Sequence, residues 1–263
     1  MRKLNVFIDG SWLFKACAAE RALSNKMEYP DKPFKIDFKK LNDILLQHAN
    51  QHIAGGCNTL GNLYFATSIF DLPDDLDEWP NERENISPND IEHVKGSTKI
   101  RNDFAQKAIA AGFLDDAIFR PRLKEWMIKN LKDNKFQEKQ VDAIVVALLV
   151  KHAITQPEDV HVIITGDTDI LPAIKIAYPA YSNNVFVATI HPDQLKSESR
   201  QTSYALTDFN YSIEPLFLEK HADKILEGSY IYTCAHCGKF FSRLTPIPTK
   251  NQPCCKPCHL KRT

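Results

Sequence analysis

The sequence predicts an α/β fold with a mainly parallel central sheet, followed by a small cysteine-rich module near its C-terminal end. Strand-like apolar runs alternate with helical segments along most of the 263 residues, a pattern typical of a parallel sheet covered by helices. Five of the seven cysteines lie in the last thirty residues, which predicts the separate module. With 43% hydrophobic and 25% charged residues, the composition indicates a folded globular chain rather than a disordered one.

The first part of the chain alternates predicted strands and helices. An apolar run ends at Asp9-Gly10, as expected for a buried strand that leads into a turn. Asp37 is suited to cap a helix, because its carboxylate can accept hydrogen bonds from the first backbone N–H groups. The predicted elements are a strand at 4–8, a helix at 12–23, a helix at 38–49 and a strand at 62–70.

The segment 71–95 is predicted to be a loop or lid. It contains three prolines, and its nine acidic residues face two basic ones. Proline interrupts regular structure, and dense charge of one sign opposes burial in a core.

The remaining segments continue the alternation. The residues at 143–150 are all apolar, so the helix that contains them is predicted to be buried. The run at 160–165 is the clearest strand in the sequence. The predicted elements are a helix at 99–111 that ends at Gly112, a strand at 116–120, a helix at 138–153, the strand at 160–165, a helix after Asp169 and a strand at 184–190.

Acidic residues follow two of the predicted strands. Asp9 ends the first strand, and Asp167 and Asp169 come directly after the strand at 160–165. Ligands of parallel sheets bind beyond the carboxyl ends of the strands, where these carboxylates would repel one another unless a cation lay between them. Oxygen ligands favour hard ions such as Mg²⁺ or Mn²⁺. Taken alone, the Gly-Asp-x-Asp motif fits a structural turn equally well.

Asp142 strengthens the prediction of a metal site. It lies near the start of the helix predicted to be buried, where an unpaired carboxylate is strongly destabilising. Attraction to the helix N-terminus contributes only about 0.3–1 kcal/mol and does not offset such burial. A metal ion shared with the other aspartates would offset the cost of burying the Asp142 carboxylate.

Three sequence blocks resemble the signature blocks of the NYN domain, a PIN-like nuclease family that includes the LabA-type proteins. They are VFIDGS at 6–11, KQVD at 139–142 and IITGDTD at 163–169. The resemblance spans about residues 4–190 and depends on the order and separation of the blocks. It implies a PIN-like three-layer fold and a metal-dependent ribonuclease. The resemblance also implies that the ligands of Mg²⁺ or Mn²⁺, which are at the same time the catalytic residues, are Asp9, Asp142, Asp167 and Asp169.

The residues expected to contact the substrate are Ser11, Arg120, Arg122, Lys139 and Thr165. The basic residues among them precede or belong to the Asp142 block and could bind phosphates, although a charged run fits a solvated surface equally well. One position departs from the family pattern. The first block usually continues with asparagine, whereas Trp12 occupies that place here, so Ser11 is expected to take over the polar role.

The C-terminal cysteines predict a zinc ribbon. Cys234 and Cys237 form one C-x₂-C motif, and Cys255 and Cys258 form a second one seventeen residues later, a spacing that suits a four-cysteine structural Zn²⁺ site. Cys255 gives better spacing than the adjacent Cys254. The predicted boundaries are a nuclease domain at 1–220, a linker at 221–228 and the ribbon at 229–263.

The ribbon is also a predicted interaction surface. Residues 228–263 carry six basic residues and no acid, so this module has a charge of +6 and the rest of the neutral chain −6. Such a module suits nucleic acid, and the family resemblance favours RNA over DNA. The basic-aromatic residues of its predicted hairpin are Lys239, Phe240, Phe241 and Arg243. A solubilising tail, a protein partner or self-association through the ribbon are the alternatives.

The expected location is the cytoplasm. No stretch approaches the roughly 18 uninterrupted apolar residues of a membrane span, and a short apolar run leads directly to Asp9, so neither a membrane anchor nor a leader is expected. The cysteine clustering also suits a reducing compartment.

Three function classes remain open on the sequence. An endoribonuclease is favoured. A catalytically silent RNA-binding or scaffold protein of the same fold is the main alternative, supported by Trp12 and by the acidic segment 71–95, which would repel RNA over the cleft. A phosphatase that uses an Asp-x-Asp pair is disfavoured, because Asp9 lacks a second aspartate two residues later.

Overall fold

The computed structural model describes residues 2–57, 59–83, 85–132, 140–178, 184–195 and 203–261. These residues form a six-stranded sheet and, near the C-terminal end, a two-stranded hairpin. All strand pairs of the larger sheet are parallel. Its strands are β1 (Lys3–Asp9), β2 (Thr59–Ser68), β3 (Ile118–Phe119), β4 (Val160–Ile164), β5 (Val185–Thr189) and β6 (Leu216–Phe217).

The strand order β3-β2-β1-β4-β5-β6 places the first and fourth strands side by side at the centre of the sheet. From β1 the chain builds outward through β2 and β3, and from β4 it builds outward in the opposite direction. Ile8 pairs with Ile164 in the register of β1 and β4, so both strands end at the same level. The carboxyl ends of β1 and β4 therefore flank the crevice where the strand order reverses, the usual ligand position in such sheets.

Helices cover both faces of the sheet. Leu4, Val6 and Ile8 of β1 point into one core, whereas Phe7 points into the other, as the alternation of a strand requires. Helices α1, α2 and α4 pack into the first core, and α6, α7 and α8 pack into the second, so the fold has three layers. The helices are α1 (Gly10–Ala16), α2 (Phe38–His52), α3 (Trp79–Glu82), α4 (Pro88–Ala110), α5 (Glu125–Lys132), α6 (Gln140–Thr155), α7 (Leu171–Ala177), α8 (203–207), α9 (Ala222–Ile225) and α10 (Lys256–Leu260).

The prediction of a loop at 71–95 is wrong for about half of the segment, because 79–82 and 88–95 are helical. This segment contains α3 and the first two turns of α4, which starts at Pro88 behind a capping box formed by Ser87 and Asp90. A third small core holds it in place, because Trp79, Ile91 and other apolar side chains of the segment pack against the region of α5. Apolar residues scattered among the acids therefore outweigh the charge.

Two helices differ from their predicted form. Helix α1 ends at Ala16 rather than continuing to 23, and Glu20 adopts φ of 59°, which no helix interior permits. Helix α6 is buried on one side only: Val141, Val145 and Leu149 face the core, whereas Ala143 is exposed. Alanine counts as apolar in a sequence pattern, yet it is readily tolerated on a solvated helix face.

The C-terminal module is a hairpin of β7 (Tyr230–Thr233) and β8 (Phe240–Arg243) followed by α10. It contacts the main domain, since the Glu28 N–H donates to the Phe240 carbonyl at 2.7 Å and the Lys256 N–H donates to the Glu28 carboxylate. Residues 221–228, predicted as a linker, include α9, whose Ala222 and Ile225 are fully buried in the first core. No helix within the described part of the chain has the length and apolar character needed to cross a membrane.

Candidate acidic site and cysteine metal centre

The four aspartates singled out in the sequence line one pocket. Its cavity volume is only about 10 Å³, and it lies beyond the carboxyl ends of β1 and β4. Its lining residues are Asp9, Asp142, Val145, Val146, Thr165, Asp167, Asp169 and Ile170. Side chains separated by as many as 160 positions in the sequence are thus brought to the crevice where the strand order reverses.

Asp9 is held firmly by its neighbours. It is the N-cap of α1, and its Oδ1 accepts a hydrogen bond from the Trp12 N–H at 2.9 Å. The Thr165 hydroxyl donates to its Oδ2 at 3.0 Å and accepts from the Asp167 N–H at 3.1 Å. Asp9 is only 5% exposed, so these bonds provide the partners that a buried carboxylate needs. They also fix its orientation towards the pocket.

Asp167 and Asp169 lie in the turn between β4 and α7. The Asp169 N–H donates to Asp167 Oδ1 at 3.0 Å, so Asp167 caps the short 3₁₀ turn Thr168–Ile170. Both side chains are exposed. Asp167 therefore has the structural turn role that the Gly-Asp-x-Asp motif suggests, and it also lines the pocket.

Asp142 reaches the pocket from α6. It lies in the first turn of that helix, and Val145 and Val146, three and four positions later, line the same pocket as expected for one helix face. The Asp142 side chain is half-buried. The argument that full burial forces it to share a metal therefore does not hold, and its placement in the pocket is the stronger observation.

The four carboxylates line the same pocket, but their oxygen atoms are not close enough together to form a complete set of metal ligands. Among the residues that the structure describes, the only group of three or more His, Cys, Asp or Glu ligand atoms within 4.8 Å of one another is the cysteine cluster. Mg²⁺ usually binds through one or two carboxylates and keeps several waters or substrate oxygens. The donor chemistry of the pocket thus fits such an ion without requiring all four side chains as direct ligands.

The predicted substrate-contacting residues are spread over the molecule. Thr165 lines the pocket and is 2% exposed. Ser11 is buried, and its Oγ lies 3.4 Å from the Thr67 Oγ1, outside the pocket lining. Arg120 and Arg122 are exposed just after β3, the outer strand of the sheet, and Lys139 lies outside the described residues.

Trp12 and Gly166 fit together at the edge of the pocket. A Cβ atom at Gly166 would lie only 2.7 Å from Cε2 of Trp12 and would also collide with its Nε1. The tryptophan that follows Ser11 therefore has a glycine opposite it. The sequence carries no signal for this contact, because it joins α1 to the turn after β4.

Replacement of Gly166 by alanine is expected to destabilise the protein by about 1–3 kcal/mol, since the added methyl group overpacks the Trp12 ring. Urea unfolding of Gly166→Ala measures the loss. In the Trp12→Ala background the same change should cost less, because the clash is gone. Equal costs in both backgrounds would show that the ring does not constrain this position.

The four predicted cysteines form a compact group near the C-terminal end. The Sγ atoms of Cys234, Cys237, Cys255 and Cys258 all lie within 4.8 Å of one another. The Cys237 and Cys255 sulfurs are 3.6 Å apart, close to the roughly 3.8 Å expected for thiolates about 2.3 Å from one tetrahedral Zn²⁺. Cys254 is outside the group, as its spacing predicted. These cysteines could bind a metal ion such as zinc.

The surroundings favour a thiolate at Cys234. Its burial acts to raise the pKa, but hydrogen bonds from the backbone N–H groups of Cys255, His236 and Cys237 outweigh this and lower the pKa to about 5. The aromatic residues of the hairpin are used internally: Phe241 is buried beside the cysteines, and Phe240 packs on the main core. Of the four residues of the predicted basic-aromatic surface, only Arg243 is exposed.

Comparison with known proteins leaves the family open. No family model matches the sequence, and no curated protein matches it. Among solved structures, a protein of unknown function from Vibrio parahaemolyticus RIMD 2210633 is similar, with a TM-score of 0.43 and 10% sequence identity. The match covers 86% of this chain and 96% of that chain. A likeness at this level says nothing about function.

Proposed function

We propose that the protein is a divalent-metal-dependent endoribonuclease with a PIN-like fold. The observation that carries this proposal is the meeting of Asp9, Asp142, Asp167 and Asp169 around one pocket at the reversal point of a parallel sheet. Carboxylates crowded at such a position are best explained by a cation, and a hard cation beside a crevice suits phosphodiester hydrolysis.

The polar residues of the pocket bind the metal or position its ligands in this proposal. The four aspartates would hold Mg²⁺ or Mn²⁺, which when bound stabilises negative charge on a scissile phosphate and makes a water more acidic. Thr165 orients the Asp9 carboxylate through its hydrogen bond. The Asp167 cap keeps the turn after β4 rigid, so that Asp167 and Asp169 need no reorganisation when a substrate binds.

The cysteine cluster is proposed to hold a structural Zn²⁺. Four thiolates close the coordination sphere, so the ion stabilises the ribbon and takes no part in catalysis. Lys239, Arg243, Lys250 and Lys256 of this acid-free module support RNA binding near the main domain, with a protein partner or a second copy of the chain as the other occupants. Cysteines that are not in disulfides suit the cytoplasmic location expected from the sequence.

A catalytically silent RNA-binding protein of the same fold is the second candidate. It is favoured by Trp12, which fills the place of the family's asparagine and packs against Gly166. The loose grouping of the carboxylates also favours it.

The decisive experiment incubates the purified full chain with labelled single-stranded RNA and single-stranded DNA. We expect RNA cleavage that requires added Mn²⁺ or Mg²⁺ and stops when the ions are chelated. Salt-sensitive RNA retention without turnover would support the silent protein instead. Cleavage that persists in excess chelator would reject a metal-dependent mechanism.

Mn²⁺ is also expected to raise the melting temperature of the apo protein. A ligand present at 100 times its dissociation constant stabilises a fold by about 2.7 kcal/mol, which corresponds to about 5–10 °C in a chain of this size. Asp142→Asn removes one carboxylate of the pocket and should reduce the shift. Because the cysteines remain intact in that variant, an unchanged shift would place Mn²⁺ elsewhere on the protein.

A further inference from the structure

A second, larger groove adjoins the acidic pocket. Its cavity volume is about 540 Å³, and Asp167 lines both the groove and the pocket. Its walls come from α1, from the turn after β4 and from the segments at 20–25 and 190–195. This volume lies within the range of about 300–1,000 Å³ for pockets that bind small ligands, so the groove has room for one nucleotide.

Trp12 is a fixed aromatic surface in this groove. Its backbone N–H is held by Asp9, and its indole ring lies against Gly166, which carries no side chain that would push it away. The ring is half-buried, and it contacts the first core as well as lining the groove. A ring that is already immobilised loses little conformational freedom when a flat ligand stacks on it.

Two basic side chains lie along the groove from Trp12. Lys15 follows one helical turn later on α1, and Arg21 lies on the opposite segment; both are exposed. Glu20, which also lines the groove, adopts φ of 59° and donates its N–H to the Pro30 carbonyl at 2.7 Å. A non-glycine residue in the left-handed region is uncommon and often marks a functional segment.

We propose that this groove binds an unpaired nucleotide of the RNA substrate beside the cleavage site, with its base stacked on Trp12. Lys15 and Arg21 contact the phosphates on either side of that nucleotide. A base inside a duplex cannot present its face to Trp12, so the groove selects single-stranded RNA. This inference rests on the proposed nuclease function, and it explains why tryptophan occupies the family's asparagine position: the residue has become part of substrate recognition.

Binding can be measured without turnover. Fluorescence anisotropy of labelled single-stranded oligouridine is recorded with the full-length protein in excess chelator. We expect Trp12→Ala to weaken binding about tenfold or more, the usual effect of removing one stacking contact. Trp126→Ala is the matched control, because Trp126 is 52% exposed and does not line the groove. A duplex of the same length should bind equally to the wild type and to Trp12→Ala.

The charged residues provide a test that does not disturb the core. Lys15→Gln and Arg21→Gln change exposed side chains, and each should reduce the slope of log affinity against log salt by about 0.7, the value for one phosphate contact on a single strand. If Trp12→Ala does not fold, Trp12→Phe keeps an aromatic ring and should bind less tightly than the wild type. Unchanged binding in the folded variants would overturn the proposal.

The outcomes separate this inference from the proposed function. RNA cleavage by the wild type together with Trp12-independent binding overturns the groove proposal and leaves the nuclease proposal intact. Trp12-dependent binding of RNA without any cleavage supports the groove and overturns the nuclease. Equal, Trp12-dependent affinity for single-stranded DNA would retain the stacking site but overturn its assignment to RNA.

Discussion

Asp167→Asn is expected to lower the rate of RNA cleavage by at least about 10³-fold while leaving the fold intact. A metal ion provides several kcal/mol of transition-state stabilisation, and each 1.36 kcal/mol is a factor of ten in rate. Asparagine keeps an oxygen that can accept the Asp169 N–H, so the turn after β4 survives. What it removes is the negative charge that faces the pocket. Single-turnover cleavage at saturating Mn²⁺ measures the loss.

Asp103→Asn is the matched control for this change. Asp103 is exposed on α4 and does not line the acidic pocket, so its neutralisation alters net charge equally without touching the site. The control should cleave at the wild-type rate. If Asp167→Asn cleaves as fast as Asp103→Asn, the observed activity does not come from this pocket, and the assignment fails.

The strands that carry the site could be predicted from the sequence for a simple physical reason. Strands buried on both faces appear as nearly continuous apolar runs, and β1 and β4 are of this kind, each with one buried polar residue, Asn5 or His161. Asp9 follows the first run directly and Asp167 follows the second after one glycine, so their position at the carboxyl ends requires no tertiary information. Because ligands of parallel sheets bind beyond the carboxyl ends of the strands, this position predicts a binding site.

The strand order could not be predicted in the same way. It depends on which strand pairs with which, and a short sequence motif does not record that choice. The Trp12–Gly166 contact has the same origin, since it exists only because β1 and β4 are neighbours. The groove that Trp12 lines therefore cannot be predicted from the sequence, although Trp12 stands directly after the VFIDGS block.

The errors in the sequence predictions share a cause. In segment 71–95 the charge predicts a loop, but Leu76, Trp79 and Ile91 have packing partners near α5 that are remote in sequence. In α6 the apolar run predicts a fully buried helix, but hydrophobic periodicity alone cannot distinguish a tolerated exposed alanine from a buried one. In both cases tertiary contacts, which composition does not record, determine whether a segment is helical and which of its residues are buried.

Cys255→Ser is expected to abolish metal binding at the ribbon and to unfold it. Structural zinc contributes on the order of 10 kcal/mol or more to small domains of this kind, far more than the buried cluster of Cys234, Cys255 and Phe241 provides by itself. Zinc analysis of the purified wild type should give one ion per chain. The variant should contain none, and its ribbon should be cut by protease at 229–261 while the main domain, with its own two large cores, remains resistant.

Cys254→Ser is a control of the same chemistry one residue away. Cys254 lies outside the cysteine group, and its Sγ lies 3.6 Å from the Cys255 carbonyl, so its loss should leave zinc content and protease resistance unchanged. If Cys254→Ser lost zinc and Cys255→Ser kept it, Cys254 would be the ligand in place of Cys255, which would contradict the structure.

The ribbon also supports the wall of the groove. The Glu28 N–H and carboxylate bind Phe240 and Lys256, so loss of the ion should loosen the segment that continues from the groove wall at 20–25. Faster hydrogen exchange at 20–28 in Cys255→Ser, but not in Cys254→Ser, would show that the ribbon supports the groove as well as its own fold.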